Sequence, residues 1–113
     1  MRVVVAEHAG VCYGVERALR LASEAAAGDG QVHTLGPLIH NPQAVEELRE
    51  RGVHVAASLD DVAGGTLVVR SHGVDPAVIT AAVERGLDVV DATCPFVSTA
   101  QRHAADLAEQ GYT

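Results

Sequence analysis

Apolar and polar residues come in blocks along this chain, and the blocks predict a repeating order of strand and helix. "RVVVAE" (Arg2–Glu7) is a continuous apolar run of strand length and predicts a buried strand. "VERALRLASEAAAG" places Val15, Leu19, Ala22 and Ala26 on one face of a helix that closes at Gly28. "QVHTLG" predicts a second short strand. In "NPQAVEELRERG" Asn41 can cap a helix, Pro42 suits its first position, and Gly52 stops it. "VHVA" predicts a third strand, "SLDDVAGG" a short helical turn and loop, and "TLVVRSHG" the clearest strand of all. "DPAVITAAVERG" repeats the Asp–Pro opening and Gly closing of a helix. "LDVVDA" predicts a further strand. "PFVSTAQRHAADLAEQG" predicts a last helix with Pro95 near its start and a stripe of Val97, Ala100, Ala104 and Leu107.

This alternation predicts an α/β fold: a single three-layer lobe with a mostly parallel sheet of four to five strands and helices on both faces. No internal repeat, low-complexity segment or linker interrupts it. By the same rhythm a strand would follow "EQGYT". The expectation is therefore one lobe over residues 1–94, with residues 95–113 as the first helix of a following lobe.

Composition narrows the function classes. The 113 residues are 48% apolar, enough for one core without disulfides, and only 3% aromatic, so Val, Ala and Leu must build that core. A net charge of −7 argues against nonspecific nucleic-acid binding, which needs a positive surface. It leaves room for a small anionic ligand held by local donors. No run approaches the roughly 18 apolar residues of a membrane span, and "MRVVVAEHAG" does not read as a signal peptide. Two distant cysteines without an export signal predict a reducing, cytoplasmic setting.

In open parallel sheets, ligands gather beyond the carboxyl ends of the strands. The residues expected there are chemically rich. His8, Gly10 and Cys12 follow the first predicted strand. Gly36, Pro37, His40 and Asn41 follow the second, Ser71-His72-Gly73 follow "TLVVR", and Asp91, Thr93 and Cys94 follow "LDVV". Single polar residues could each be satisfied by a backbone bond. Their recurrence at the same end of successive strands is harder to explain by packing.

Each cysteine is expected at a helix N-terminus, where backbone N–H groups favour a thiolate. The local pattern leaves several readings open: small buried hydrophobes, ligands for a metal or iron–sulfur cluster, or a redox pair. Two Cys and two His could also form a tetrahedral zinc site, although the ligands come from different strand ends. Pro95 presets the start of the helix behind Cys94. His40 stands before a helix opening where an anion could be held. His72 stands beside a glycine that permits close backbone approach. His33, His54 and His103 carry no assigned role, and His8 stays open.

Four strings then meet a family. "AGVCYGVERAL", "GPLIHNPQAVEEL", "RSHGV" and "DATCPFV" occur in this order over essentially the whole chain. Together they resemble the N-terminal third of the LytB/IspH family, the 4-hydroxy-3-methylbut-2-enyl diphosphate reductases of the non-mevalonate isoprenoid pathway. The resemblance implies a three-lobed α/β protein around a 4Fe-4S iron–sulfur cluster held by three cysteines. It implies a two-electron reductive dehydroxylation that yields isopentenyl and dimethylallyl diphosphate, with electrons from an external ferredoxin- or flavodoxin-type donor. Carried over by motif, Cys12 and Cys94 are the implied cluster ligands, and His40 and His72 the implied donors to the substrate diphosphate.

Departures from the family's pattern are few within the chain. His8 stands where the family often has proline, and Val11 where an aromatic often precedes the first cysteine. A third cysteine, the Glu-Gly-Thr segment with the family's proton-delivering glutamate, and the Ser/Asn segment that completes diphosphate binding are not in this sequence. No catalytic residue is therefore expected within this lobe, and the chain alone is expected to be inactive. Two routes could complete a cluster: two chains offering two thiolates each, or an external thiol such as glutathione. The alternatives are a noncatalytic domain that dimerises through its last helix, or a thiol or zinc-binding module on the same fold.

Overall fold

A computed structural model describes residues 1–113 and shows one four-stranded, all-parallel sheet with helices on both faces. Helix α1 (Tyr13–Ala26) comes first, then β1 (Val32–Leu35), α2 (Pro42–Glu50) and β2 (Val53–Ala56). A short 3-10 turn (Leu59–Asp61), β3 (Thr66–Val69), α3 (Pro76–Glu84), β4 (Asp88–Asp91) and α4 (Pro95–Glu109) complete the order. The strands lie in the order β2-β1-β3-β4. Val32 pairs with Val53 and Thr66, and Val69 with Asp91.

Two apolar layers flank the sheet. On one face Ala18 and Ala22 of α1 and Leu48 of α2 pack with Val32, Val53, Val68, Leu38, Ile39 and Ala92. On the other, Ala82 of α3 packs with Ala56, Val62, Leu67 and Leu87. The buried positions of α1 are Gly14, Ala18 and Ala22, four residues apart and all small. That spacing puts them on one helical stripe, and their size lets the helix axis lie close to the sheet. The predicted helix starts hold: Asn41 Oδ1 accepts from the N–H groups of Gln43 and Ala44 at 3.1 and 3.2 Å, and Asp75 Oδ1 from Ala77 at 2.8 Å.

One predicted element is absent. Residues 2–7 form no strand, and Val3, Val4 and Val5 are 74%, 75% and 78% exposed. The apolar run has strand character, but membership in a sheet needs an edge with free backbone groups alongside it. The sheet edges here are β2 and β4, and the N-terminal segment pairs with neither. The sheet is thus four-stranded, and His8 does not stand at a strand end as expected. It lies in an exposed segment ahead of α1.

The last helix also stands apart. No residue of α4 is buried, although one face carries Val97, Ala100, Ala104 and Leu107. The molecule is flat in outline, 55 × 40 × 20 Å.

Candidate functional site

Because all strands are parallel, the loops after β1, β3 and β4 emerge from one edge. The chain runs outward from β1 to β2, then returns to place β3 on the other side of β1. The order therefore reverses between β1 and β3, where such sheets open a crevice for ligands. The loop after β1 leads to α2 on one face, and the loop after β3 to α3 on the other. His40 and His72 come from these two diverging loops. Their rings stack across the gap, with centroids 5.2 Å apart and planes 16° from parallel.

Both imidazoles are exposed. His72 is nonetheless held below the usual histidine range, chiefly by partial burial and further by the neighbouring charges of Arg70 and His40. An open cavity of about 370 Å³ lies beside the pair, lined by Val11, Val15, Ile39, His40, Asn41, Ser71 and His72. A larger one of about 630 Å³ lies on the other side of His72, between the start of α3 and α4. Its walls include Arg70, Gly73, Asp75 and Gln101.

The cysteines occupy matching positions. Cys12 is the N-cap of α1 and Cys94 the N-cap of α4, with Pro95 at the first helical position behind it. Neither sulfur makes a capping hydrogen bond, and both thiols are free. Each helix N-terminus carries orphan N–H groups and a partial positive charge, which favour a sulfur anion there. Cys94 is brought to α1 directly. A Cβ placed on Gly14 would lie 2.6 Å from Cys94 Sγ and 2.9 Å from its Cβ, so only glycine allows this contact. The thiol thus rests on the first turn of the helix that Cys12 begins.

Backbone bonds tie the loops into one edge. Cys94 N–H donates to Ser71 O at 2.8 Å, one residue before His72. Ser71 in turn donates from both N and Oγ to Leu38 O, two residues before His40. Asp91 Oδ1 accepts from the N–H and the hydroxyl of Thr93, and Arg17 Nη1 donates to Thr93 O at 3.1 Å. The cysteine loop after β4 and the two histidine loops are therefore one bonded unit.

The arrangement brings Cys94, His72 and His40 together with the start of α1 and leaves His8 outside. His33 and His54 face each other on β1 and β2, away from these loops, with ring centroids 5.9 Å apart. His103 is exposed on α4. The two-Cys, two-His zinc site does not form: no three or more His, Cys, Asp or Glu side chains gather closely enough to hold a metal ion. The thiols by themselves suit part of a soft-metal or cluster donor set. The glycine seat of Cys94 and the unused hydrogen-bonding capacity of both sulfurs fit that chemistry, but two thiols do not complete it.

Sequence reasoning missed Arg17, Arg70, Gly14 and Gln101. Gly14 carried a signal, since a glycine inside a helical pattern commonly marks a close approach. The arginines carried none, because Arg17 reaches Thr93 and Arg70 reaches Gly36, both distant in sequence.

Fold and site together define an open parallel α/β lobe whose loop edge presents two helix-capping thiols and two stacked imidazoles. Comparison with known proteins makes the class specific. The LytB protein family model matches residues 3–113, and the chain belongs to that family. It is 50% identical over 112 residues to the 4-hydroxy-3-methylbut-2-enyl diphosphate reductase of Pelobacter propionicus, covering 99% of this chain and 40% of that protein. It is likewise 50% identical over 113 residues to the protein of that name from Geobacter sulfurreducens, covering 100% of this chain and 40% of the relative.

Solved structures agree. One of (E)-4-hydroxy-3-methyl-but-2-enyl diphosphate reductase, described as the terminal enzyme of the non-mevalonate pathway, superposes with a TM-score of 0.83 at 42% identity. The match covers 97% of this chain and 40% of that one. The Plasmodium falciparum E-1-hydroxy-2-methyl-but-2-enyl-4-diphosphate reductase superposes with a TM-score of 0.85 at 28% identity, over 91% and 33% of the two chains. This chain thus spans about two fifths of the length of the curated relatives it matches.

Proposed function

We propose that this chain supplies the N-terminal share of a diphosphate-directed reductive dehydroxylation site, as in the reductases it resembles. The observation that carries this reading is the bond from Cys94 N–H to Ser71 O. It places a helix-capping thiol one residue from an imidazole that is stacked on a second. In this reading Cys12 and Cys94 are two of the ligands of an iron–sulfur cluster, and His40 and His72 donate N–H groups to the diphosphate oxygens. Bound there, the cluster would supply electrons from an external donor and a Lewis-acidic iron for the substrate hydroxyl.

The overall change is R–OH + 2 e⁻ + 2 H⁺ → R–H + H₂O. In this reading the residues of this lobe bind and orient the substrate. On the same reading residues 1–94 form one lobe and residues 95–113 the opening helix of the next, a division that gives the cluster only two of its ligands from this chain. The bare stripe of α4 supports that division and also favours self-association of the chain through this helix. A cytoplasmic setting is consistent with two free thiols.

The test is anaerobic reconstitution of the full chain with iron and sulfide. Bound iron and labile sulfide in the wild type, lost in Cys12→Ser and in Cys94→Ser, are expected. A wild-type chain that retains no iron by itself or with added glutathione would overturn the ligand assignment for this chain.

A further inference from the structure

His72 sits at the tip of a turn that is closed twice. The backbone N–H of Gly73 donates to Arg70 O at 2.9 Å, and Arg70 Nε donates back to Gly73 O at 3.2 Å. Gly73 has φ +81, in the region that glycine adopts freely. The guanidinium that closes this turn does not end there. Its Nη1 stands 3.0 Å from where a Cβ on Gly36 would be. Gly36 is the first residue after β1 and has φ +69. It is itself fixed, because its N–H donates to Ala56 O at 2.9 Å and its carbonyl accepts from Thr34 Oγ1 at 2.8 Å. One half-buried side chain thus touches the loop that carries His72 and the loop that leads to His40.

We propose that Arg70 is a positioning residue of the His40–His72 pair, its planar guanidinium bracing the loop after β3 against the glycine that follows β1. The inference rests on the reading that the pair binds diphosphate only for its consequence in ligand affinity, not for its geometry. A guanidinium suits the task because its donors form a rigid fork, so that Nε can close the turn while Nη1 stands against Gly36. Lysine would keep the charge and lose the fork. The residues facing His72 are Arg70 from its own turn, His40 across the crevice, and Asp75 and the neutral Gln101 in the adjoining cavity.

The test is NMR of the imidazole C–H groups in the full chain and in Arg70→Lys and Arg70→Gln. Loss of the inter-ring contact between His40 and His72 is expected in both variants. An upward move of the His72 titration midpoint is expected in Arg70→Gln, where the nearby cation is gone, and not in Arg70→Lys. Inter-ring contacts preserved in both folded variants would overturn the proposal. Should Arg70→Gln fail to fold, Arg70→Lys and Gly36→Ala, which crowds Nη1 from the opposite side, decide it by the same readout. Inorganic diphosphate separates the two readings. Wild-type His40 and His72 signals that ignore it would sink the diphosphate assignment, while the inter-ring contacts would still judge Arg70. Signals that do respond should respond with severalfold weaker affinity in Arg70→Lys.

Discussion

The thiol of Cys94 rests on the backbone of Gly14, at the first turn of the helix that Cys12 caps; a methyl group at Gly14 would stand 2.6 Å from the sulfur. The two cysteines are 82 positions apart by their residue numbers, yet one missing side chain lets the loop of the second lie on the helix of the first.

Gly14→Ala tests that relationship. In an exposed helix interior the change would stabilise by up to about 1 kcal/mol. Here the added carbon meets both Sγ and Cβ of Cys94, and Gly14 is buried. Overpacking of this kind costs typically about 1–3 kcal/mol, so the expected outcome is net destabilisation and a displaced Cys94. A lowered urea midpoint together with faster alkylation of Cys94 would show it. An unchanged midpoint would mean that the contact relaxes freely.

That contact also marks where the sequence stopped being legible. The helices α2, α3 and α4 were readable because their signals are local: Asn41 and Asp75 cap, and Pro42, Pro76 and Pro95 open. The convergence of Cys94, His40 and His72 followed from parallel topology alone, since parallel strands put their outgoing loops on one edge. Arg2–Glu7 misled for a physical reason. Apolar continuity reports a preference for burial, whereas a strand also needs a neighbour, and the neighbour is set by the whole topology. Arg70 escaped notice likewise, because its value lies in reaching Gly36, which is adjacent only in space.

The cap of α2 gives a second prediction. Asn41 Oδ1 satisfies two of the helix's orphan N–H groups and directly follows His40. Asn41→Ala is expected to cost about 1 kcal/mol of stability. Asn41→Asp should restore it, as a carboxylate caps as well and suits the helix dipole. Chemical denaturation of the three proteins at neutral pH measures both effects.

Acid should weaken the fold through His72. Its folded pKa lies below the ordinary value of 6.5, so the unfolded chain binds the proton more readily. Stability therefore falls as pH drops from about 6.5 through the lower folded value, and this contribution levels off once both states are protonated. The ring is largely exposed, so the effect is small. Comparison of urea midpoints between pH 7.5 and 5 in the wild type and in His72→Gln isolates it: the substitution should flatten that part of the profile. A profile that keeps its slope would assign the acid sensitivity to other groups.

The face of α4 gives the last prediction, and it separates folding from association. Leu107 is 49% exposed and no residue of its helix is buried. Little apolar area is therefore withdrawn from water at this position within one chain, and Leu107→Lys should leave the unfolding free energy within about 0.5 kcal/mol of wild type at low concentration. Along the same helix Val97, Ala100 and Ala104 continue the stripe, and a contiguous apolar face of this kind favours contact with another surface. If copies of the chain meet there, a lysine in the stripe must be desolvated or left unpaired on association. Sedimentation velocity across a hundredfold concentration range should then show the wild type growing heavier and Leu107→Lys remaining a monomer. Equal behaviour of the two proteins would remove α4 from the interface and turn attention to the bare valines Val3, Val4 and Val5.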